Sequence, residues 1–337
     1  MLLWGNLGAQ CGRKSILLAA LAIYGFSSIA LPASSGIMSF IFLRFIQGIG
    51  ASGISVMARV LMRDHFSGSL LAKGLSWLSI SFVVSLGVGQ YLGSILQSEW
   101  GWQAIFYFLA GSALLILLAL LRVPFSNKID REKIRSSWYI YIDILRHRDF
   151  LLPALAGGLG YGVIIAFNTV APLILQGSFH WTANEYGLLG WPISAAYFFG
   201  AMSVNKFVVK TGRFRLMNMG LSLVLCGSVL MIFGSLFATT LALAVWLPYC
   251  LAVFGQAMNY PISLSVANDR ASINGAYAMA LSGFIHQLMA AVIGGMASFL
   301  PSQFTWPLAL LITTFALGAF VCGILCSRSE MEESVLS

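Results

Sequence analysis

The run Ile37–Met62, IMSFIFLRFIQGIGASGISVMARVLM, is apolar over most of its length, and its few polar residues are spread along it. A hydrocarbon core needs about 20 apolar residues per helix, so the run is long enough to cross a bilayer. Strands of a membrane barrel would alternate polar and apolar residues, and this run does not. The stretch therefore predicts a transmembrane helix.

Further apolar runs of similar length lie on both sides of it. The ten predicted spans lie near 15–31, 37–62, 70–96, 103–121, 150–174, 184–208, 214–236, 241–264, 272–299 and 304–326. The first follows Arg13–Lys14 and imitates a signal peptide. Because so many spans follow it, we interpret it as a retained helix.

The basic residues alternate between the gaps that separate these runs. Of 19 Lys and Arg residues, all except Arg44 cluster at 13–14, 59–73, 122–148, 206–215, 270 and 328. The intervening gaps, around 32–36, 97–103, 176–184, 238–240 and 300–305, hold none. Cytoplasmic loops retain Lys and Arg, so the pattern predicts a multi-pass protein of the inner (cytoplasmic) membrane and its orientation.

The composition argues against most other classes of protein. Hydrophobic residues make up 59% and charged residues 9%, about a third of the charged share of a soluble domain. The net charge is +8, and the basic residues that produce it lie beside the predicted membrane edges. This placement favours lipid headgroups and not nucleic acid as the partner. Cys322 and Cys326 share a helix face, but packed or lipid-facing thiols are expected there in preference to a metal site. We expect no cofactor.

The hydrophilic segment 122–149 separates four predicted spans from six. Ile134, Trp138, Ile142 and Leu145 fall on one helical face among basic neighbours. This spacing predicts a short helix on the cytoplasmic membrane surface. A solvated linker is the alternative.

The two halves of the chain contain a similar short motif. Gly12–Arg13–Lys14 before one span recurs as Gly212–Arg213–Phe214–Arg215 before another, as expected for parallel repeats. If Gly212 belongs to a six-helix repeat, the first half lacks two helices. We therefore expect an N-terminally truncated chain in which Met1–Trp4 is the tail of a second helix.

Two stretches resemble motifs of the major facilitator superfamily, and more narrowly its Bcr/CflA-like branch of drug:proton antiporters. The stretch from Gly5 through Gly12 to Arg13 and Lys14 resembles the signature G-x-L-a-D-r-x-G-r-k after the family's second helix, with Ala9 and Gln10 in place of Asp and Arg. The stretch Arg44-Phe-Ile-Gln47-Gly48-Ile-Gly50-Ala51 is similar to R-x-x-Q-G-x-G-a of its fourth helix, with every fixed position met.

Three further stretches extend the resemblance over the whole chain. Gly89-Gln90-Tyr-Leu-Gly93 resembles the antiporter motif G-P-x-x-G, with Gln90 in place of proline. Trp100-Gly-Trp102-Gln-Ala-Ile-Phe106 is similar to the entry to the sixth helix, and Asn274–Ala276 with Gln287 to the eleventh. By this resemblance Gly5, Gly12, Arg13, Lys14, Gly89 and Gly93 belong to conformational motifs.

The resemblance implies an all-α membrane protein: two helix bundles that rock around a central cavity, with helix 1 and most of helix 2 of twelve missing. The predicted domains are an incomplete N-terminal bundle at 1–121, a cytoplasmic linker at 122–149, a C-terminal six-helix bundle at 150–327 and a cytoplasmic tail at 328–337.

Proton coupling would need a group that titrates inside the cavity. No Asp or Glu lies deep in a predicted span, so His286 near mid-span is the candidate titrating group. By the resemblance, Arg44, with Gln47 one turn along, is a cavity-facing group that tunes a proton or anionic site. Arg44 is expected to be the one basic residue buried within a span. The alternatives are a structural cation at Arg44 and a packing residue at His286.

The candidate cavity wall consists of the amides and aromatic residues inside spans, because amides in lipid need partners. They are Gln90, Tyr161, Asn168, Trp191, Tyr197, Gln256, Asn259, Tyr260 and Gln287. Asn168 precedes Pro172, where a break in the helix would expose carbonyl groups. Hydrogen bonding between helices is the alternative role of each. Such walls suit amphipathic or cationic organic molecules.

The sequence therefore predicts a secondary active transporter that exports small organic compounds or drugs in exchange for protons by alternating access. The alternatives are a non-transporting truncated remnant and an exporter of a siderophore or metabolite. Paired acids, HExxH and Ser–His arrangements are missing from the sequence, so we do not expect an enzyme.

Overall fold

A computed structural model of the chain describes residues 2–122, 137–238, 241–270 and 275–336, and every regular element in these ranges is helical. The α-helices are α1 (Leu2–Cys11), α2 (Arg13–Ala30), α3 (Ile37–His65), α4 (Gly68–Trp100), α5 (Trp102–Arg122), α6 (Ser137–Arg146), α7 (Arg148–Gly177), α8 (Ala183–Leu188), α9 (Gly190–Thr211), α10 (Arg213–Phe237), α11 (Leu243–Arg270), α12 (Gly275–Ser298) and α13 (Trp306–Leu336). A 3₁₀ turn, Leu31–Ala33, follows α2.

Each of the ten predicted spans coincides with a helix or, for 184–208, with the pair α8 and α9. Within the described ranges, 8 helical segments are long and apolar enough to cross a membrane. Helices α4 and α11 are not among them, although they have 33 and 28 residues. A multi-pass membrane protein is thus supported, while the count of ten spans stays a prediction.

The start of α2 and the start of α10 have the same backbone geometry. Gly12 precedes α2 with φ 88° and ψ 141°, and Gly212 precedes α10 with φ 85° and ψ 149°. A side chain at this positive φ would be strained, which explains glycine at both positions. The two triplets found in the sequence therefore begin equivalent helices.

The described helices divide into two compact units. Unit 1 comprises 1–65, 92–143 and 274–283. Its centre is the close contact of α2 with α3: a Cβ atom at Gly50 would lie 2.7 Å from the Tyr24 amide nitrogen and 2.8 Å from the Ala20 carbonyl oxygen. Glycine at the end of the Arg44–Ala51 motif therefore allows two backbones to touch.

Unit 2 comprises 66–91, 144–273 and 284–337. Helix α11 lies among α7, α9 and α10, and α13 packs against α7 and α10. Its core is apolar and well packed around Val163, Phe167, Val224 and Tyr249. The domain boundaries proposed at 121, 149 and 327 stay a prediction.

Unit 2 repeats the helix contact at the centre of unit 1. The backbone of α11 at Gly255 faces α10 at Gly220 and Val224, as α3 at Gly50 faces α2 at Ala20 and Tyr24. The offset is 205 residues for α3 and α11, and 200 for α2 and α10. The parallel repeat inferred from two short triplets therefore extends to two whole helices of each half.

Helix α6 forms within the predicted linker. Ile142 and Leu145 of the predicted apolar face are exposed, while Ile140, Tyr141 and Ile144 are buried. The Tyr141 hydroxyl donates to the Leu2 carbonyl oxygen at 2.6 Å, and burial raises the Tyr141 pKa well above its ordinary value. Ile134 lies outside the described residues. An outward apolar face fits a membrane surface, and contact with lipid stays a prediction.

Helix α7 is continuous from Arg148 to Gly177, with Pro153 and Pro172 inside it. A break at Asn168–Pro172 is therefore not present. Proline has no backbone N–H, so Pro172 still leaves the Asn168 carbonyl without its usual helical donor.

Candidate functional site

Arg44 anchors a chain of hydrogen bonds in unit 1. Its Nη1 donates to Gln47 Oε1 at 2.8 Å, and Gln47 Nε2 donates to Ser28 Oγ at 2.7 Å. Ser28 in turn donates to the Tyr24 carbonyl oxygen at 2.7 Å. The Arg44 guanidinium also lies 5.7 Å from the ring centroid of Phe106. The predicted pair on α3 is thus held as one site.

Two arginines of α3 differ in their exposure, while the place of Arg44 within a membrane span stays a prediction. Arg44 is exposed on the surface of α3, whereas Arg59, four turns further along the same helix, is only 4% exposed. The sequence interpretation grouped Arg59 with the cytoplasmic cations because Arg63 and Lys73 follow it. Arg59 lies against the α12 backbone at Gly283, whereas Arg44 lies toward the start of α3, where its side chain is exposed.

Two matching ion pairs follow the glycines that begin α2 and α10. Arg13 Nε lies 2.9 Å from Asp64 Oδ2, at the end of α3. Arg213 Nη1 pairs with Asp269 at the end of α11, and also donates to Ser265 Oγ at 3.3 Å. The sequence places no Asp or Glu deep in a predicted span, but the arginine partners of these two aspartates were not predicted. The repeat spacing, which relates Asp64 to Asp269, was the signal that could have found them.

Buried amides bind α11 to α7 at the centre of unit 2. Gln256 Nε2 donates to the Gly157 carbonyl oxygen, and Asn259 Nδ2 donates to the Ala156 carbonyl oxygen, each at 3.1 Å. Asn259 Nδ2 also donates to Gln256 Oε1 at 3.1 Å. These bonds are the helix-to-helix contacts weighed as the alternative to a cavity wall. Both amides are fully buried, so α7 and α11 share one polar interface.

An aromatic row continues this interface to α12. Tyr161 lies 5.8 Å from Tyr260, and Tyr260 lies 5.1 Å from His286, between ring centroids. His286 is 1% exposed and packs against α7: a Cβ atom at Gly157 would lie 2.6 Å from its Nε2. Glycine at 157 is what lets the imidazole approach the α7 backbone. We call Tyr161, Gln256, Asn259, Tyr260 and His286 the polar cluster.

A second polar contact lies further along α7. The Tyr249 hydroxyl donates to Asn168 Oδ1 at 3.1 Å, and its ring stacks on Phe167 with centroids 3.7 Å apart. Tyr249 was not among the predicted site residues. The repeat offset of 205 places it where α3 carries Arg44.

The remaining predicted residues lie apart from the polar cluster. Trp191 is exposed and contacts Tyr91 at 6.1 Å between ring centroids. Tyr197 is buried in the apolar core, and Gln287 is exposed beside His286. Of the remaining motif residues, Gly5 is buried in α1, and Lys14 Nζ donates to the Leu121 carbonyl oxygen at 3.4 Å. Gly89 and Gly93 have open space around them on α4. The Gln90 side chain lies outside the described part of the chain.

A cleft of about 420 Å³ lies at another place in unit 2. It is lined by Ser178, Phe179, Ser235 and the segment 303–306, none of which was predicted to bind. Among the described residues, no group of three or more His, Cys, Asp or Glu could hold a metal ion. The described residues offer a ligand hydrogen-bonding groups, aromatic rings and a few cations.

The comparisons with known proteins agree with this architecture. The family model "Major Facilitator Superfamily" matches residues 1–294. The chain is 25% identical to the chloramphenicol resistance protein CraA of Acinetobacter baumannii, over 99% of this chain and 81% of that protein. It is also 25% identical to multidrug resistance protein D of Escherichia coli K12, over 96% and 82%.

Solved structures show the same fold. The transporter FucP in its outward conformation matches with a TM-score of 0.67 at 14% identity, over 93% of this chain and 83% of that one. The human organic anion transporter MFSD10 matches with a TM-score of 0.63 at 16% identity, over 96% and 79%. From its matched residues and its relatives, the chain belongs to the Major Facilitator Superfamily and is similar to the superfamily's drug-resistance transporters.

Proposed function

We propose that this chain exports small organic compounds across the cytoplasmic membrane in exchange for protons. A secondary transporter of small molecules is what its family and relatives support. The finer claim rests on one observation above all: the polar cluster, which brings amides, tyrosines and one titratable ring together inside apolar helices.

His286 is the proposed proton carrier. Among the residues that the structure describes, every carboxylate lies near a helix end or outside the long helices, and so do the other three histidines. Histidine gains and loses a proton near neutral pH, and His286 lies in the middle of α12. Tyr260 of α11 and the α7 backbone at Gly157 adjoin the His286 ring. A change in the charge of the ring would therefore alter its contacts with both α11 and α7.

The amides and tyrosines of the polar cluster are the proposed binding groups for the cargo. Gln256 and Asn259 present both donors and acceptors, and Tyr161 and Tyr260 present aromatic faces. Small-molecule sites in proteins bury a ligand against aromatic side chains and orient it with a few hydrogen bonds. A compound with an aromatic ring and polar substituents fits, and chloramphenicol, which names one relative, is a suitable probe.

The Arg44 site and the two ion pairs are proposed to serve the conformational change. Arg44, Gln47 and Ser28 join α3 to α2, and Arg13–Asp64 joins them again nearer the cytoplasmic end. Arg213–Asp269 does the same for α10 and α11. We expect these contacts to keep each helix pair rigid while access alternates, because rocking bundles move as bodies.

Uptake of labelled chloramphenicol into proteoliposomes with an acidic interior tests the proposal. We expect the wild-type chain to accumulate drug when the interior is more acidic than the medium, and His286→Gln to lose this gradient-driven accumulation. His65→Gln, an exposed histidine at the end of α3, is the matched control and should behave as wild type. Equal accumulation by His286→Gln and wild type would remove His286 from proton coupling.

A further inference from the structure

Arg59 is a buried cation whose hydrogen bonds are incomplete. Its Nε donates to the Ser55 carbonyl oxygen at 3.1 Å, and its Nη2 donates to Ser55 Oγ. Its Nη1 is buried and meets no hydrogen-bond acceptor among the residues that the structure describes. The guanidinium carries a full positive charge, so the incompletely bonded group is a cation.

The repeat shows that packing alone does not require arginine here. The offset of 205 that relates Asp64 to Asp269 and Gly50 to Gly255 takes Arg59 to Leu264. Leu264 is 1% exposed in unit 2, against 4% for Arg59 in unit 1. The same position in the same kind of helix pair is therefore filled by an apolar side chain in one half and by a charge in the other.

Helix α12 covers the incompletely bonded nitrogen. A Cβ atom at Gly283 would overlap Arg59 Nη1 and lie 3.1 Å from Cζ, so the guanidinium rests against the α12 backbone. The next residue back, Ser282, is fully buried, and its hydroxyl also has no hydrogen-bond partner within the described ranges. Two buried donors on facing helices thus lack acceptors in the same part of unit 1.

Such a cation needs a negative partner, because a buried charge is stable only when it is paired. The nearest carboxylate along α3, Asp64, is already bound to Arg13. We propose that Arg59 is the receptor for a small anion, a halide or the carboxylate of an organic acid, which binds when the start of α12 moves away from α3. Gly283 then acts as the cover of the site, since its missing side chain lets α12 close over Nη1.

Thermal unfolding of the purified chain in detergent micelles tests this, with chloride or benzoate in place of the bulky sulfonate MES. We expect chloride to raise the unfolding midpoint of wild type. In Arg59→Leu the chloride-dependent rise should vanish, and the midpoint in MES should be higher than that of wild type. Gly283→Ala displaces α12 from the guanidinium, so its chloride-dependent rise should exceed that of wild type.

Arg63→Gln, one turn further along α3, is the control for general salt effects and should keep the wild-type response. A response to benzoate at concentrations where chloride has none would identify an organic acid as the ligand, and equal responses would identify a solvent anion. Neither anion acting on wild type, or an unchanged rise in Arg59→Leu, overturns the proposal. If Arg59→Leu does not fold, Gly283→Ala must still respond more strongly than wild type. The measurement needs no transport, so its failure leaves the proposed function standing.

Discussion

The two ion pairs of the repeat should differ in strength, although they occupy equivalent positions. Removing one partner of a buried pair costs roughly 3–5 kcal/mol, and an exposed pair contributes about 0.2–1 kcal/mol. The side chains of Arg13 and Asp64 are 10% and 18% exposed, so this pair lies between a fully buried pair and an exposed one. We therefore expect Asp64→Asn to lower the free energy of unfolding by about 2 kcal/mol.

The pair in unit 2 is more exposed, at 21% and 32% for Arg213 and Asp269. Arg213 also keeps Ser265 as a partner when the aspartate is neutralised. Both features reduce the loss, so Asp269→Asn should cost about 1 kcal/mol or less.

Double-mutant cycles with reversible unfolding in mixed detergent and SDS micelles measure both coupling energies. The cycles combine Asp64→Asn with Arg13→Gln, and Asp269→Asn with Arg213→Gln. A larger coupling energy for Arg13 and Asp64 is the expected result. Equal couplings, or a larger one in unit 2, would show that exposure does not set the strength of these pairs.

Three further substitutions follow from the contacts in each unit. Gly50→Leu should lower the free energy of unfolding by about 3 kcal/mol, because its side chain would meet the α2 backbone at Ala20 and Tyr24. Gly48→Leu should change it little, since no atom lies within 4 Å of a Cβ atom at that position, and equal losses would refute the close contact. Tyr249→Phe keeps the ring stacking and loses the hydroxyl, which donates to Asn168 Oδ1 and to the Ile164 carbonyl oxygen. A loss of about 1 kcal/mol is expected in the same assay, and no loss would mean that these bonds are not formed. Gln256→Leu should weaken chloramphenicol binding measured by equilibrium dialysis without unfolding the chain, and unchanged affinity would exclude this amide from the cargo site.

The helical architecture could be predicted from the sequence because each span must satisfy its own backbone in lipid. Long apolar runs and the alternation of Lys and Arg are local signals, and each predicted run coincides with helix. The pairing of Arg44 with Gln47 could also be predicted, since the two residues are three positions apart on one helix face. Residues that share one helix face can be identified from their spacing in the sequence.

Contacts between helices could not be predicted in the same way. Arg59 and Arg44 lie on one helix, and which of them is buried depends on the helices that pack against each part of α3 along its length. Asn168 precedes a proline that suggested a break, but packing within unit 2 keeps α7 continuous. Amphipathic periodicity is weak when both the core and the lipid are apolar, so it cannot tell the two faces apart.

Drug-driven proton movement tests the central claim most directly. With a pH-sensitive dye inside proteoliposomes at equal internal and external pH, chloramphenicol is added outside, and the internal pH is followed. An antiporter predicts that the interior becomes more alkaline as drug enters and protons leave, and that His286→Gln abolishes the change. Entry of labelled drug through the protein with no change of internal pH would contradict the account.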